Sequence, residues 1–210
     1  MGKTIVIGTS HISPRSIENV RNTILKEKPG CVAIELCPER YRALRSGYYR
    51  PSLRFGLTHY VLAVIQQYLG KKTGVLPGSE MLVAADTGLS TGAKVILIDK
   101  DIREIMYEIS RIGFVEKFRL FAKILLSLLF SPFSKKQRID LSRVPPERII
   151  EEAMRMMKRD MPSFYKILVE DRNRYMARWI KELSKKYDKI VVVVGAGHRK
   201  GLEKMLKVRK

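Results

Sequence analysis

Lys189-Ile190-Val191-Val192-Val193-Val194-Gly195-Ala196-Gly197-His198 is a β-branched apolar run that ends in a glycine-spaced histidine. The first residues of the chain repeat the pattern in Lys3-Thr4-Ile5-Val6-Ile7-Gly8-Thr9-Ser10-His11. β-branched side chains favour an extended backbone. A strand with no polar alternation has both faces covered, as in a parallel sheet. Two such strands, each running into Gly-x-x-His, can bring two imidazoles to one end of one sheet.

Two further strands fit between them, at residues 31–36 and 94–98. Glu35 lies near the end of the first of these, and Asp99 directly follows the second. The strand spans predicted for the two opening runs are 3–8 and 189–194. Pro14 begins a helix with Ile17, Val20, Ile24 and Leu25 on its apolar face, preceded by Ser13 as cap. Pro38 begins a short helix to Arg45, and helices are expected over 53–69 and from Ser79, as cap, to about Ser90. Asp101 and Glu104 have the spacing of a capping box. The pattern is then helical over 102–131, with a break near Gly113, and again over 146–160 and 163–186. Strands alternating with helices give an α/β fold with a mainly parallel central sheet flanked by helices. One domain over 1–210 is expected, with an extended, mostly helical insertion or lid at about 101–187 between the third and fourth core strands.

The chain has 210 residues, 45% of them hydrophobic, and a formal charge of +20, so it should fold and prefer anionic partners. Leu120 to Phe133 is apolar but interrupted by Lys123, and its uncharged part falls short of the ~20 residues that span a bilayer. It can lie on an anionic membrane or support a homodimer, but not cross. No secretory signal is visible. Cys31 and Cys37 flank a strand that separates them by roughly 20 Å, beyond the reach of a disulfide. A cytoplasmic setting follows. No nucleic-acid motif or basic–aromatic interleaving accompanies the charge, so no specific nucleic-acid partner is expected.

In open α/β sheets ligands bind beyond the carboxyl ends of the strands, where His11, Glu35, Asp99 and His198 all fall. Each histidine alone reads equally as a turn hydrogen-bonder and as a ligand or base. Together with a carboxylate they form a recognised catalytic metal set with open positions for water. Glu35 interrupts Val32, Ala33, Ile34 and Leu36, so a cation, a metal or several donors must offset its desolvation. Glu80 suits the macrodipole in the first turn of its helix. Arg172 and Asn173 fall on the apolar stripe of Leu168, Val169, Met176, Trp179, Ile180 and Leu183. A core-facing arginine wants a buried carboxylate, with Glu35 and Glu80 as candidates; the alternative is a side chain that snorkels to solvent. Gly195-Ala196-Gly197 fails as a nucleotide loop because Lys200 stands where the third glycine belongs. Cys37 lacks a nucleophile signature.

These residues sit in stretches that resemble the TraB/PrgY family of the wider TIKI superfamily. The stretches are Gly8-Thr9-Ser10-His11-Ile12-Ser13-Pro14, Val32-Ala33-Ile34-Glu35-Leu36, Glu39-Arg40-Tyr41-Arg42-Ala43-Leu44 and Gly78-Ser79-Glu80-Met81. Ile98-Asp99-Lys100-Asp101-Ile102, Glu170-Asp171-Arg172-Asn173-Arg174-Tyr175-Met176 and Val194-Gly195-Ala196-Gly197-His198 continue them in order. The resemblance implies a site of two Gly-x-x-His motifs and a glutamate. The TIKI branch acts as metal-dependent proteases using Mn²⁺ or Co²⁺, and the PrgY branch limits peptide-pheromone output at the bacterial membrane. Erythromycin esterases and the haem-binding lipoprotein ChaN are more distant relatives. Many TraB-type proteins carry C-terminal membrane helices that this sequence lacks, and a membrane location would follow if it were cut from such a protein.

The expectation is therefore a metal-dependent hydrolase, a peptidase acting on a peptide, protein or pheromone-like substrate. His11, Glu35 and His198 would ligate a divalent ion, Mn²⁺ or Co²⁺ before Zn²⁺. Glu35 or Glu80 would supply the carboxylate chemistry, and Arg172 and Asn173 would steady the carboxylates or an oxyanion. The rival expectations are a non-catalytic module that binds or sequesters a peptide or haem, and a metal-free hydrolase with a histidine as base.

Overall fold

The computed structural model describes residues 2–9, 14–46, 78–114, 116, 118 and 146–207. The expected helix at 53–69, the apolar stretch 120–133 with its proposed membrane or dimer role, the loop 131–145, His11, the cap Ser13 and His59 lie outside them.

Four parallel strands form the sheet in the order β1-β4-β2-β3, with β1 Lys3–Thr9, β2 Cys31–Ile34, β3 Lys94–Leu97 and β4 Lys189–Gly195. The two opening runs are neighbours, paired from Lys3↔Lys189 to Thr9↔Gly195. On its other side β4 pairs with β2, from Cys31↔Ile190 to Ile34↔Val193. β4 and β2, the most buried strands, are central, whereas β1 lies at the edge of the sheet and is only partly buried.

Strand parity divides the core. Val32, Ile34, Val191 and Val193 face Val20 and Ile24 of helix α1 (Pro14–Glu27) and Met81, Ala84 and Ala85 of helix α3 (Ser79–Ser90). Cys31, Ala33, Ile190, Val192 and Val194 face Met176, Ile180 and Leu183 of helix α7 (Arg172–Lys186) and Leu202 of helix α8 (Ala196–Leu206). The steps β1→β2 and β2→β3 move one way across the sheet, with α1 and α3 on one face. The step β3→β4 reverses direction, and α7 crosses on the other face. Crossovers of one hand demand that change of face. The chains leaving β2 and β4 thus part at their carboxyl ends and leave a crevice between neighbouring strands.

The remaining described helices are α2 (Pro38–Arg45), α4 (Ile102–Ser110), α5 (Glu147–Asp160) and the short α6 (Pro162–Tyr165). The break near Gly113 is present: Arg111 caps α4, and helix resumes at Phe114. Three local expectations change. Gly78, with φ +90°, caps α3, and Ser79 is its first helical residue. Asp101 caps α4 by accepting from the Arg103 N–H, but Glu104 pairs with Lys100 at 3.1 Å rather than closing a capping box. The helix expected over 163–186 is interrupted by a π-helical stretch, Lys166–Asp171, immediately before Arg172. Leu25 and Trp179, placed on apolar faces by spacing, are 46% and 43% exposed. Among the described residues no helix is long and apolar enough to cross a membrane.

Candidate functional site

Parity also aims Glu35. Cys31 and Ala33 face α7, so the next odd residue of the run turns its carboxylate to the same side, one step beyond the end of β2. The backbone stays in register there, with the Glu35 N–H donating to Val193 O at 3.0 Å. The Gly195 N–H at the mouth of α8 donates to Glu35 Oε2 at 2.7 Å. The carboxylate thus sits at a helix N-terminus, where negative charge is favoured.

Arg172 meets it from α7. Its Nε donates to Asp99 Oδ1 at 2.9 Å and its Nη2 to Asp99 Oδ2 at 2.8 Å, a two-pronged grip on one carboxylate. Nη2 also donates to Glu35 Oε1, and Nη1 donates to the Leu168 carbonyl at 3.2 Å. The remaining contact is Nη1 to His198 Nε2 at 3.1 Å. A guanidinium has five N–H donors, and all five are engaged. In this arrangement Arg172 grips both carboxylates, and each of its donors has a partner. Burial acts to lower its pKa, yet the charges of Glu35 and Asp99 and the bonds to them raise it above the ordinary guanidinium value. It is a permanent cation.

Its contact with Nε2 bears on the tautomer of His198. A guanidinium can only donate, so Nε2 accepts and the ring proton resides on Nδ1. Nδ1–H then donates to Asn173 Oδ1 at 2.8 Å. Adjacent residues of α7 thus grip the two nitrogens of one imidazole. Its Nε2 lies 3.4 Å from Glu35 Oε1. The side chains of Glu35, Asp99, His198 and Arg172 are 4%, 1%, 9% and 11% exposed.

The structure thus brings together Glu35, Arg172, Asn173 and His198. Glu80 is buried in the first turn of α3 but is not a partner of Arg172, whose donors all go elsewhere. The second carboxylate is Asp99, which sequence reasoning placed at the right edge of the sheet but read as a cap. It is a cap too, accepting from the Lys100 N–H at 2.8 Å. Arg40 of α2, not anticipated, approaches Asp99 at 3.4 Å, so two guanidiniums face two carboxylates. A cavity of about 400 Å³ adjoins Asn173, lined by Gly8, Met154, Gly197, Gly201 and Lys204 among others.

Glu35 Oε1 and His198 Nε2, 3.4 Å apart, are spaced as two ligands of one ion can be, and the third expected ligand, His11, lies outside the described residues. An imidazole nitrogen has one lone pair, so any ligand of Nε2, an ion or a water, would have to displace its contact with Arg172. The charge of the two carboxylates is already matched by Arg172 and Arg40. Among the described residues no three histidine, cysteine or acidic side chains form a group able to hold a metal.

A sequence model of the TraB/PrgY/gumN family matches residues 2–209. A Methanocaldococcus jannaschii protein described only as uncharacterized is 32% identical, over 96% of this chain and 53% of its own length. The TraB domain-containing proteins of Homo sapiens and Mus musculus are each 24% identical, over 96% of this chain and 62% of theirs. The chain thus spans between about half and three-fifths of the length of these relatives.

Proposed function

Because the chain belongs to the TraB/PrgY/gumN family, we propose that it is a hydrolase of peptide-type bonds in which His198 acts as the base without a divalent ion. The observation that carries this reading is the Asn173 Oδ1 contact to His198 Nδ1 at 2.8 Å. A base near neutral pH must be uncharged, must present a chosen nitrogen and must hold still. The contacts of Asn173 and Arg172 with the two ring nitrogens support this reading.

In the reaction a water takes the place of Arg172 Nη1 at His198 Nε2. That exchange gives up one hydrogen bond and leaves the pairing of Arg172 with Glu35 and Asp99 intact. His198 accepts the water proton at Nε2, and the hydroxide adds to the substrate carbonyl. The imidazolium that forms faces Glu35 Oε1, which stabilises it. It then returns the proton to the leaving nitrogen. Arg172 is a positioning residue, since it acts through Glu35, Asp99 and His198. The cavity beside Asn173, with Gly8, Gly197 and Gly201 in its wall, is where a substrate side chain would lodge.

The test is a mixed-sequence peptide library incubated with chelator-treated wild type, His198→Gln and Asn173→Ala. Cleavage by the wild type, its loss in His198→Gln and a steep fall in Asn173→Ala are expected. Saturable peptide binding with no cleavage by any of the three would overturn the reading in favour of a sequestration module.

A further inference from the structure

We propose that the cavity beside Asn173 is a subsite for a peptide residue that carries a carboxylate, and that Lys204 on its rim selects that group. The inference rests on the reading above for the peptide, but not for its cleavage.

The cavity lies between the end of β1 at Gly8, Met154 of α5, Asn173 of α7 and the stretch of α8 from Gly197 to Lys204. Its inner wall is apolar and close-set. A Cβ on Gly197 would meet Met154 Sδ at 3.4 Å, so the thioether rests over the first turn of α8. Asn173 is 3% exposed, and its Oδ1 is engaged with His198 Nδ1. Its Nδ2 lies against Gly201, which also lines the cavity, and makes no hydrogen bond with a described residue. A buried amide N–H costs free energy until something accepts from it. A peptide carbonyl lodged in the cavity would be such an acceptor, on the same side chain that grips the His198 ring.

The rim is charged. Arg155, Arg199, Lys200 and Lys204 line it together with Glu147 and Glu151. Glu151 pairs with Lys200 and lies 3.8 Å from Arg155. Glu203, just outside, accepts from Arg199 Nε at 2.8 Å. Four cations thus stand against three carboxylates, which leaves one positive charge over. Lys204 is exposed, and its side chain makes no hydrogen bond or ion pair with a described residue. It follows Lys200 by four residues and so shares its face of α8. From Asn173 outward, a ligand meets an amide donor, then an apolar wall, then an unmatched ammonium. A peptide residue that offers a carbonyl, a short apolar stem and a carboxylate has its groups in that order. The carboxylate can belong to an acidic side chain or to the C-terminus of the peptide, and the two present the same chemistry.

The experiment uses the full chain after chelation and N-terminally labelled peptides of mixed sequence in matched sets. One pair differs by glutamate against glutamine at one position, and a second pair by a free against an amidated C-terminus. Binding is followed by fluorescence anisotropy, and cleavage in the same samples by mass spectrometry. Wild type should bind the carboxylate member of one pair about tenfold more tightly than its amide partner, the scale of one hydrogen bond to a charged group. The pair that shows the difference identifies the source of the carboxylate. Lys204→Met should erase the preference with no change in melting temperature, and Lys204→Glu should favour the amide. Lys185→Met removes the same charge twelve residues along α7 from Asn173, about 18 Å away along the helix axis, and should leave the preference intact. Equal binding within both pairs, a preference that survives Lys204→Met, or no saturable binding by wild type would overturn the inference. A carboxylate preference without cleavage would uphold it and remove the hydrolase reading. Cleavage with no preference in binding would remove it and leave the hydrolase reading standing.

Discussion

At Gly201 a single methyl group would reach the candidate site. A Cβ there would lie 2.4 Å from Asn173 Nδ2, too close for either atom to stay. Alanine inside a helix is otherwise favoured over glycine by roughly 0.5–1 kcal/mol. Gly201→Ala should therefore weaken hydrolysis as Asn173→Ala does, even if melting temperature holds. Full activity in Gly201→Ala would separate Asn173 from the reaction. Cys31 offers a test of the core beneath the site. Burial raises its thiol pKa from 9.0 to about 11. A folded-state pKa above the unfolded value means that the stabilisation is complete below pH 9 and is lost as pH climbs through about 11. Urea unfolding of wild type against Cys31→Ala across that range should show the two curves converging as pH rises; parallel curves would contradict the burial. Most of the site was legible in the sequence because each residue breaks its local pattern. Glu35 is a charge in an apolar strand, Arg172 and Asn173 are polar on an apolar stripe, and His198 follows a glycine-rich strand end. Asp99 and Arg40 break no pattern, since one passes for a cap and the other for a surface helix residue. Counting the acceptors that a buried arginine requires was the signal that points to a second carboxylate.

The element that organises these residues is the helix of the π stretch and α7. Its helical spacing correctly puts Arg172 and Asn173 in phase with Met176 and Ile180. The π stretch at Lys166–Asp171 has no compositional mark, because a wider turn changes backbone bonding without needing a special residue. It lies directly N-terminal to the two site residues, and its Leu168 carbonyl holds Arg172 Nη1. Periodicity also exaggerates the width of an apolar face, which is why Trp179 and Leu25 lie at the edges of theirs. Ile180→Ala should cost about 2–5 kcal/mol, as expected for a fully buried aliphatic chain. Trp179→Ala should cost less, although it removes more atoms. Chemical denaturation followed by circular dichroism decides, and the reverse order would mean that α7 is turned differently on the sheet.

At the scale of the molecule, the strand order explains why a site forms where it does. The two Gly-x-x-His strands are neighbours, and β2, which brings Glu35, lies on the other side of β4. The sequence shows four strands and their likeness but not their order, because pairing between distant segments leaves no local trace. The +20 charge acts at this scale too. If it guides acidic peptides to the crevice, kcat/KM for an acidic substrate should fall as salt shortens the Debye length to about 8 Å. A neutral peptide should change little, and equal salt effects on both would remove the steering role. We propose that His198, gripped by Asn173 and Arg172, is a base that works without a metal ion. The most direct measurement is peptide-library cleavage by chelator-stripped wild type beside chelator-stripped His198→Gln. Cleavage by the first and none by the second is predicted. Activity that vanishes on chelation and returns with Mn²⁺ or Zn²⁺ would contradict it.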